Sequence, residues 1–309
     1  MPQMARHDTR DAEAAAALAW RHIRAADRPP PATRFLRKAR HVDATVNGTR
    51  LHYRIDGPED DPEAPWLTFS PSLVTSLELW DPQVAAFADR YRILRYDIRG
   101  HGGSAAAPPP YSPAMLAGDV IGLLDHLGIA RTHLAGISIG GMTAIMAAAA
   151  HPGRIRSLTV SNLSAQATPA VVAGWEERIA RVEAEGMATI VEPMLARWFT
   201  PEWRAANPEA ETGVRALIAT TTREGFIGGG RALQQTDYTG KGEAIGCPTL
   251  FIGGAADAAA PTAAMRAVAA TFADARLIEI AGAGHLSNLQ APDAWNGALA
   301  MLLDECDHR

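Results

Sequence analysis

The chain carries only two cysteines in 309 residues, Cys247 and Cys306. They stand far apart and make neither a metal-ligand spacing nor a redox pair, so the sequence predicts no disulfide scaffold and fits a reducing cytoplasm. Long apolar runs are missing too. None approaches the ~18 residues that suggest a membrane span, which excludes an integral membrane protein at this level. Basic character is also lacking: 29 Lys and Arg face 34 Asp and Glu, for a net charge of −5. Nothing supplies the basic stripe that a phosphate backbone requires, so nucleic acid is not an expected partner. There is no internal repeat and no low-complexity tract beyond an alanine bias. What the chain does have is 47% hydrophobic content, ample for one large α/β domain or two smaller ones.

The first 38 residues stand apart. Residues 11–26 are alanine-rich and are followed by Arg28-Pro29-Pro30-Pro31, with Arg6, Arg10, Arg21 and Arg24 nearby. Asp8, Asp11 and Glu13 interrupt the start, and the apolar stretch 14–20 is short for a signal core. The segment reads as a short helix and a proline linker outside the main core rather than a targeting peptide.

From residue 39 the pattern changes. Val42, Ala44 and Val46 alternate up to Asn47-Gly48, then Leu51, Tyr53 and Ile55 continue: a hairpin with a two-residue turn. Apolar runs at 66–69, 91–96, 132–135, 158–160, 249–252 and 276–280 alternate with helical stretches, which predicts parallel crossovers in an α/β fold. Strand signals vanish over 163–243, an expected helical cap inserted between core segments 39–162 and 244–309. Runs 171–182 and 189–199 are amphipathic there, with Pro169, Pro193, Pro201, Pro208 and Gly228-Gly229-Gly230 as punctuation. Trp175, Trp198 and Trp203 lie in this segment, either packing cap on core or lining an apolar pocket.

Chemistry centres on Gly136-Ile137-Ser138-Ile139-Gly140, between an apolar strand and an alanine-rich helix. A strand turning sharply into a helix strains the turn residue and projects its hydroxyl, while flanking glycines avoid Cβ clashes. A serine needs a base to take its proton and a group to orient that base. His285 follows the strand ending at Ile280, in Gly282-Ala283-Gly284-His285. Asp257 follows the strand ending near Ile252. The expected triad is therefore Ser138, Asp257 and His285, in the chain order of α/β-hydrolases, with each residue at a strand's carboxyl end. The oxyanion formed on attack needs two donors. The backbone N–H groups of Ile139, at the helix start, and of Leu73, in Ser70-Pro71-Ser72-Leu73-Val74, are the candidates. This chemistry calls for neither cofactor nor metal. His101, in Arg99-Gly100-His101-Gly102, reads as a structural residue at the sheet edge.

These residues resemble the α/β-hydrolase superfamily and, more narrowly, the 3-oxoadipate enol-lactonase group. The likeness runs through Ser70-Pro71-Ser72-Leu73, Leu79-Trp80-Asp81-Pro82-Gln83, Asp97-Ile98-Arg99-Gly100-His101-Gly102, the serine pentapeptide and Gly284-His285-Leu286-Ser287-Asn288. The second and last of these resemble the lactonase group in particular. Many hydrolases have His-Gly where this chain has Pro71-Ser72. The resemblance implies opening of a five-membered lactone that bears a carboxylate, in the degradation of protocatechuate and catechol. Such a substrate calls for a cation, and Arg197, Arg204, Arg223 and Arg231 are candidates in the cap. A carboxylesterase, a perhydrolase, a carbon–carbon hydrolase and a non-catalytic ligand-binding protein are the alternatives. A homodimer is allowed, and nothing in the sequence fixes the oligomeric state.

Overall fold

A computed structural model describes residues 42–308 apart from 59, 164 and 165; the helix and proline linker expected over residues 1–38 lie outside the described residues. Eight strands form one sheet in the order β1-β2-β4-β3-β5-β6-β7-β8. β1 (Val42–Val46) and β2 (Thr49–Asp56) are the expected hairpin. Asn47 and Gly48, at φ 46 and 74, both take the left-handed backbone that lets a two-residue turn follow the strand twist. Asn47 also ties the hairpin down, its Nδ2 donating to Asp119 Oδ1 at 2.8 Å.

β2 pairs antiparallel with β4 (Arg92–Tyr96), and β3 (Trp66–Ser70), β5 (Thr132–Ile137), β6 (Ile155–Ser161), β7 (Thr249–Gly254) and β8 (Ala275–Ile280) continue in parallel. The six apolar runs are all strands. β5 and β7 are buried at every position, the pattern of strands covered on both faces. The covering helices before the insertion are α1 (Asp81–Phe87), α2 (Pro113–His126) and α3 (Ile139–Ala150). Ser112 caps α2 by accepting from Met115 N–H at 3.1 Å, with Pro113 at the first helical position, where its missing N–H costs nothing.

Between β6 and β7 the described residues form helices and no strand: α4 (Pro169–Glu185), α5 (Val191–Trp198), α6 (Pro201–Ala206), α7 (Pro208–Ala219) and α8 (Arg223–Leu233). Thr168, Thr200 and Thr222 each cap a helix through the side-chain oxygen, and Pro169, Pro201 and Pro208 occupy first helical positions. These three prolines mark helix starts, whereas Pro193 is the third residue of α5. Gly228-Gly229-Gly230 do not break the chain; they lie inside α8. A Cβ there would come within 2.5 Å of the Tyr111 ring, 2.3 Å of Leu73 and 3.1 Å of Ile179, respectively. The helix keeps its glycines despite their low propensity because it is pressed onto its neighbours.

The chain ends with α9 (Thr262–Ala269), α10 (Ser287–Gln290) and α11 (Pro292–Asp307). α11 packs on β6, β7, β8 and α1, while α2 and α3 pack together, with α3 on β3, β5 and β6. Among the described residues no helix is long and apolar enough to cross a membrane.

Candidate active site

Ser138 is the single residue between β5 and α3, at φ 58 and ψ −119. Such a conformation is costly for any residue with a Cβ and survives only where its surroundings impose it. The surroundings here are tight. A Cβ on Gly136 would lie 2.2 Å from the Gly140 carbonyl oxygen, and one on Gly140 would lie 2.1 Å from that of Ser70. The two motif glycines thus let strand, helix and the loop after β3 meet. That contact sets the first turn of α3 beside Ser70-Pro71-Ser72-Leu73. Ile139 opens the helix, where an N–H has no intrahelical acceptor. The Leu73 N–H likewise has no acceptor among the described residues. Val74 follows at φ 54 and fully buried, a β-branched residue in left-handed backbone, so this loop also holds strain.

Asp257 and His285 come together at the carboxyl ends of β7 and β8. Gly254 allows it: a Cβ there would lie 2.1 Å from the Gly284 carbonyl oxygen. Ala256 N–H donates to Ala283 O at 2.8 Å, joining the two loops. His285 Nδ1 stands 2.8 Å from Asp257 Oδ2. A carboxylate can only accept, so Nδ1 carries a proton, and in the neutral ring the lone pair lies on Nε2. Asp257 Oδ1 accepts from the N–H groups of Ala259 and Ala260, both at 2.8 Å. Burial alone would push this carboxyl up. The charge and hydrogen bond of His285, with donors from Asn162 and Ala260, instead hold it below the ordinary carboxylate value.

Asn162 was not legible as a site residue, although it stands at the end of β6, between the strands carrying Ser138 and Asp257. Its Nδ2 donates to Asp257 Oδ2 at 2.8 Å and to Gly284 O at 3.0 Å, and its Oδ1 accepts from the hydroxyls of Ser161 and Ser287. Ser138 N–H donates to Ser161 O at 2.9 Å. A backbone-to-side-chain route thus connects all three candidate residues, which are only 6%, 6% and 4% exposed for Ser138, Asp257 and His285. The one signal available was a polar pair, Ser161-Asn162, closing an apolar strand at its functional end.

His101 is structural, but not at an edge. Its loop follows β4, which lies inside the sheet between β2 and β3. The ring is fully buried, donates from Nδ1 to Arg99 O at 3.0 Å, and burial pushes its pKa down to about 4. The adjoining Gly100 O accepts from Thr222 N–H at 2.9 Å, so the loop braces the start of α8.

The four candidate arginines separate cleanly. Arg204 is paired with Glu192 and Glu211, Arg231 with Glu176, and Arg223 donates to Glu183 O. Arg197, half-buried on α5, has no carboxylate within ion-pair distance among the described residues. Its charge is felt by Arg178 on α4, a residue the sequence reading did not single out. Burial first, then Arg197, depress the Arg178 pKa. The Arg178 guanidinium lies over the Trp175 ring at 5.0 Å and donates to Gly174 O. Trp203 instead stacks on Phe199 at 4.3 Å, while Trp198 lies against His285.

Residues 65–292 match the family described as the alpha/beta hydrolase fold. The chain is 34% identical over 259 residues to 3-oxoadipate enol-lactonase 2 of Acinetobacter baylyi, spanning 84% of this chain and 95% of that one. It is 30% identical to a putative carbamate hydrolase RutD of Caulobacter, covering 84% and 97%. The crystal structure of the enol-lactonase from Burkholderia xenovorans LB400 superposes with a TM-score of 0.81 at 39% identity, covering 85% of this chain and all of that one. With its sheet order, its serine at the β5–α3 turn and these relatives, the chain belongs to the α/β-hydrolase family.

Proposed function

We propose that the protein is a serine hydrolase that opens a small carboxylate-bearing lactone, of the 3-oxoadipate enol-lactone type, through an acyl-enzyme at Ser138. The observation that carries this reading is the Asp257–His285 hydrogen bond, and the strained strand-to-helix turn at Ser138 supports it. His285 Nε2 takes the Ser138 proton as Oγ attacks the lactone carbonyl, and Asp257 stabilises the resulting imidazolium. The oxyanion receives the N–H groups of Ile139 and Leu73. As the tetrahedral intermediate collapses, the ring C–O bond breaks and His285 returns its proton to the departing enol oxygen. A water deprotonated by His285 then hydrolyses the acyl-enzyme and frees Ser138.

Protein groups supply every proton transfer and every charge-stabilising contact in this scheme, and such a substrate would place the enzyme in aromatic-ring degradation. The acidic-substrate part of the reading is supported by Arg178 and Arg197, cations on α4 and α5 with no carboxylate within ion-pair distance among the described residues, whereas Arg181, Arg204, Arg215 and Arg231 of the same insertion are paired with glutamates and Arg223 is held by the Glu183 carbonyl. The test is Ser138→Ala together with mass spectrometry after an activated phosphonate. Turnover should fall by roughly 10³-fold or more, and the wild-type adduct should map to Ser138. Undiminished turnover in the variant would refute the acyl-enzyme.

A further inference from the structure

The geometry points to Trp198 as a positioning residue for His285, making correct seating of the helical insertion a condition for catalysis. This rests on the reading of His285 as the general base. Trp198 closes α5, and the last carbonyls of a helix lack intrahelical donors. The carbonyl of Trp198 finds its donor in the His285 backbone N–H, at 2.8 Å. The indole of the same residue lies over the imidazole, with ring centroids 6.3 Å apart and planes 16° from parallel. One residue of the insertion therefore holds the candidate base at its backbone and at its ring.

The seam has no slack. A Cβ on Gly284 would lie 2.3 Å from the Trp198 carbonyl oxygen, so only a glycine before His285 lets helix end and loop meet. Trp198 is itself 2% exposed and anchored among core residues. On the opposite side Asn162 holds Gly284 O and Asp257, so the 284–285 segment is clamped between β6 and α5. The carbonyl end of a helix also favours positive charge, and His285 becomes positively charged in each proton transfer. If α5 moved away, His285 would lose a hydrogen-bond acceptor and a stacking partner together. The insertion is thereby coupled to the base rather than serving only as a wall.

Two substitutions strain the seam from different sides: Gly284→Ala presses on the carbonyl contact, and Trp198→Ala removes the indole. Trp198→Phe is the conservative control. The readouts are kcat and KM with p-nitrophenyl acetate, the rate of Ser138 phosphonylation, and the downfield proton resonance of the His285–Asp257 hydrogen bond, each on protein verified as folded by near-ultraviolet circular dichroism. Displacing a base by about 1 Å costs on the order of 10²-fold. Gly284→Ala and Trp198→Ala should each lower kcat and phosphonylation by roughly 10- to 100-fold, leave KM within about threefold, and shift or broaden the proton signal. Trp198→Phe should recover most of the rate. A variant that keeps both kcat and the proton signal, or one whose loss lies in KM alone, overturns the proposal. His285→Ala phosphonylated at the wild-type rate would instead overturn the assignment of His285 as base.

Discussion

Gln83 and Asn288 are joined twice across 205 residues of chain: Gln83 Nε2 donates to the Asn288 main-chain carbonyl, and Asn288 Nδ2 to Gln83 Oε1, both at 3.2 Å. Both side chains are fully buried, and Asn288 Nδ2 also donates to Leu79 O at 3.1 Å. The two segments most like the lactonase group therefore meet each other, on the loop that carries His285.

Asn288→Ala strips the buried Gln83 Oε1 of the donor from Asn288 Nδ2, and Gln83→Ala removes one of the two acceptors of Asn288 Nδ2 and the donor to the Asn288 main-chain carbonyl. Gln83→Ala and Asn288→Ala should each lower unfolding free energy by about 1–3 kcal/mol, measured by urea denaturation. The double variant should lose less than the sum of the two, because the same pair is broken in each.

Asn162→Leu keeps similar volume but removes the donor to both Asp257 and Gly284. Turnover should fall about 10- to 100-fold through misplacement of the base, while secondary structure followed by far-ultraviolet circular dichroism is retained. Turnover equal to wild type would show that the remaining donors of Asp257 suffice.

Gly229→Ala would place a methyl group 2.3 Å from Leu73 Cδ1. Overpacking of this kind costs about 1–3 kcal/mol, and the strain falls on the loop that carries the candidate oxyanion donor. The expected result is a lower melting temperature together with a lower kcat. Gly153→Ala, where a Cβ meets nothing, should change neither.

Arg178→Ala and Arg197→Ala should raise KM for an anionic lactone roughly tenfold more than for a neutral ester of similar size. A lost charge-assisted hydrogen bond is worth about 1.5–3 kcal/mol, and 1.4 kcal/mol is a factor of ten. Equal effects on both substrates would argue against an acidic ligand.

Acid should destabilise the fold through two buried histidines. Burial pushes both His101 and His133 down to about 4, below the ~6.5 of an unfolded histidine. The unfolded chain then binds more protons between those values, so stability complete above about pH 6.5 is lost as pH falls toward 4. Each histidine contributes on the order of 3 kcal/mol to that loss. Asp97 acts in the opposite sense, since burial raises its carboxyl to about 6 and its protonation favours the folded chain below that pH. Two histidines outweigh one carboxyl, so urea midpoints should drop between pH 6.5 and 4.5. His133→Gln should show a smaller drop.

Local patterns carried much of this protein in plain view. The Asn47-Gly48 hairpin, six strands of the sheet and the order Ser138, Asp257, His285 follow from alternation, short apolar runs and residues at strand ends, all readable within about ten neighbours. The role of Gly228-Gly229-Gly230 was not readable that way. A glycine triplet signals a break when only propensity is considered, whereas Tyr111, Leu73 and Ile179 make it the surface that lets α8 pack. Which arginine keeps a free charge depended on where Glu176, Glu192 and Glu211 fall in space. The links from Asn162 to Asp257 and from Trp198 to His285 join residues separated by most of the insertion. Sequence alone determined the strands, the turn and the candidate nucleophile, because these arise from near-neighbour sterics and hydrophobic period. Only the tertiary structure decided what supports the base and which cations remain unpaired, because those depend on contacts between distant segments.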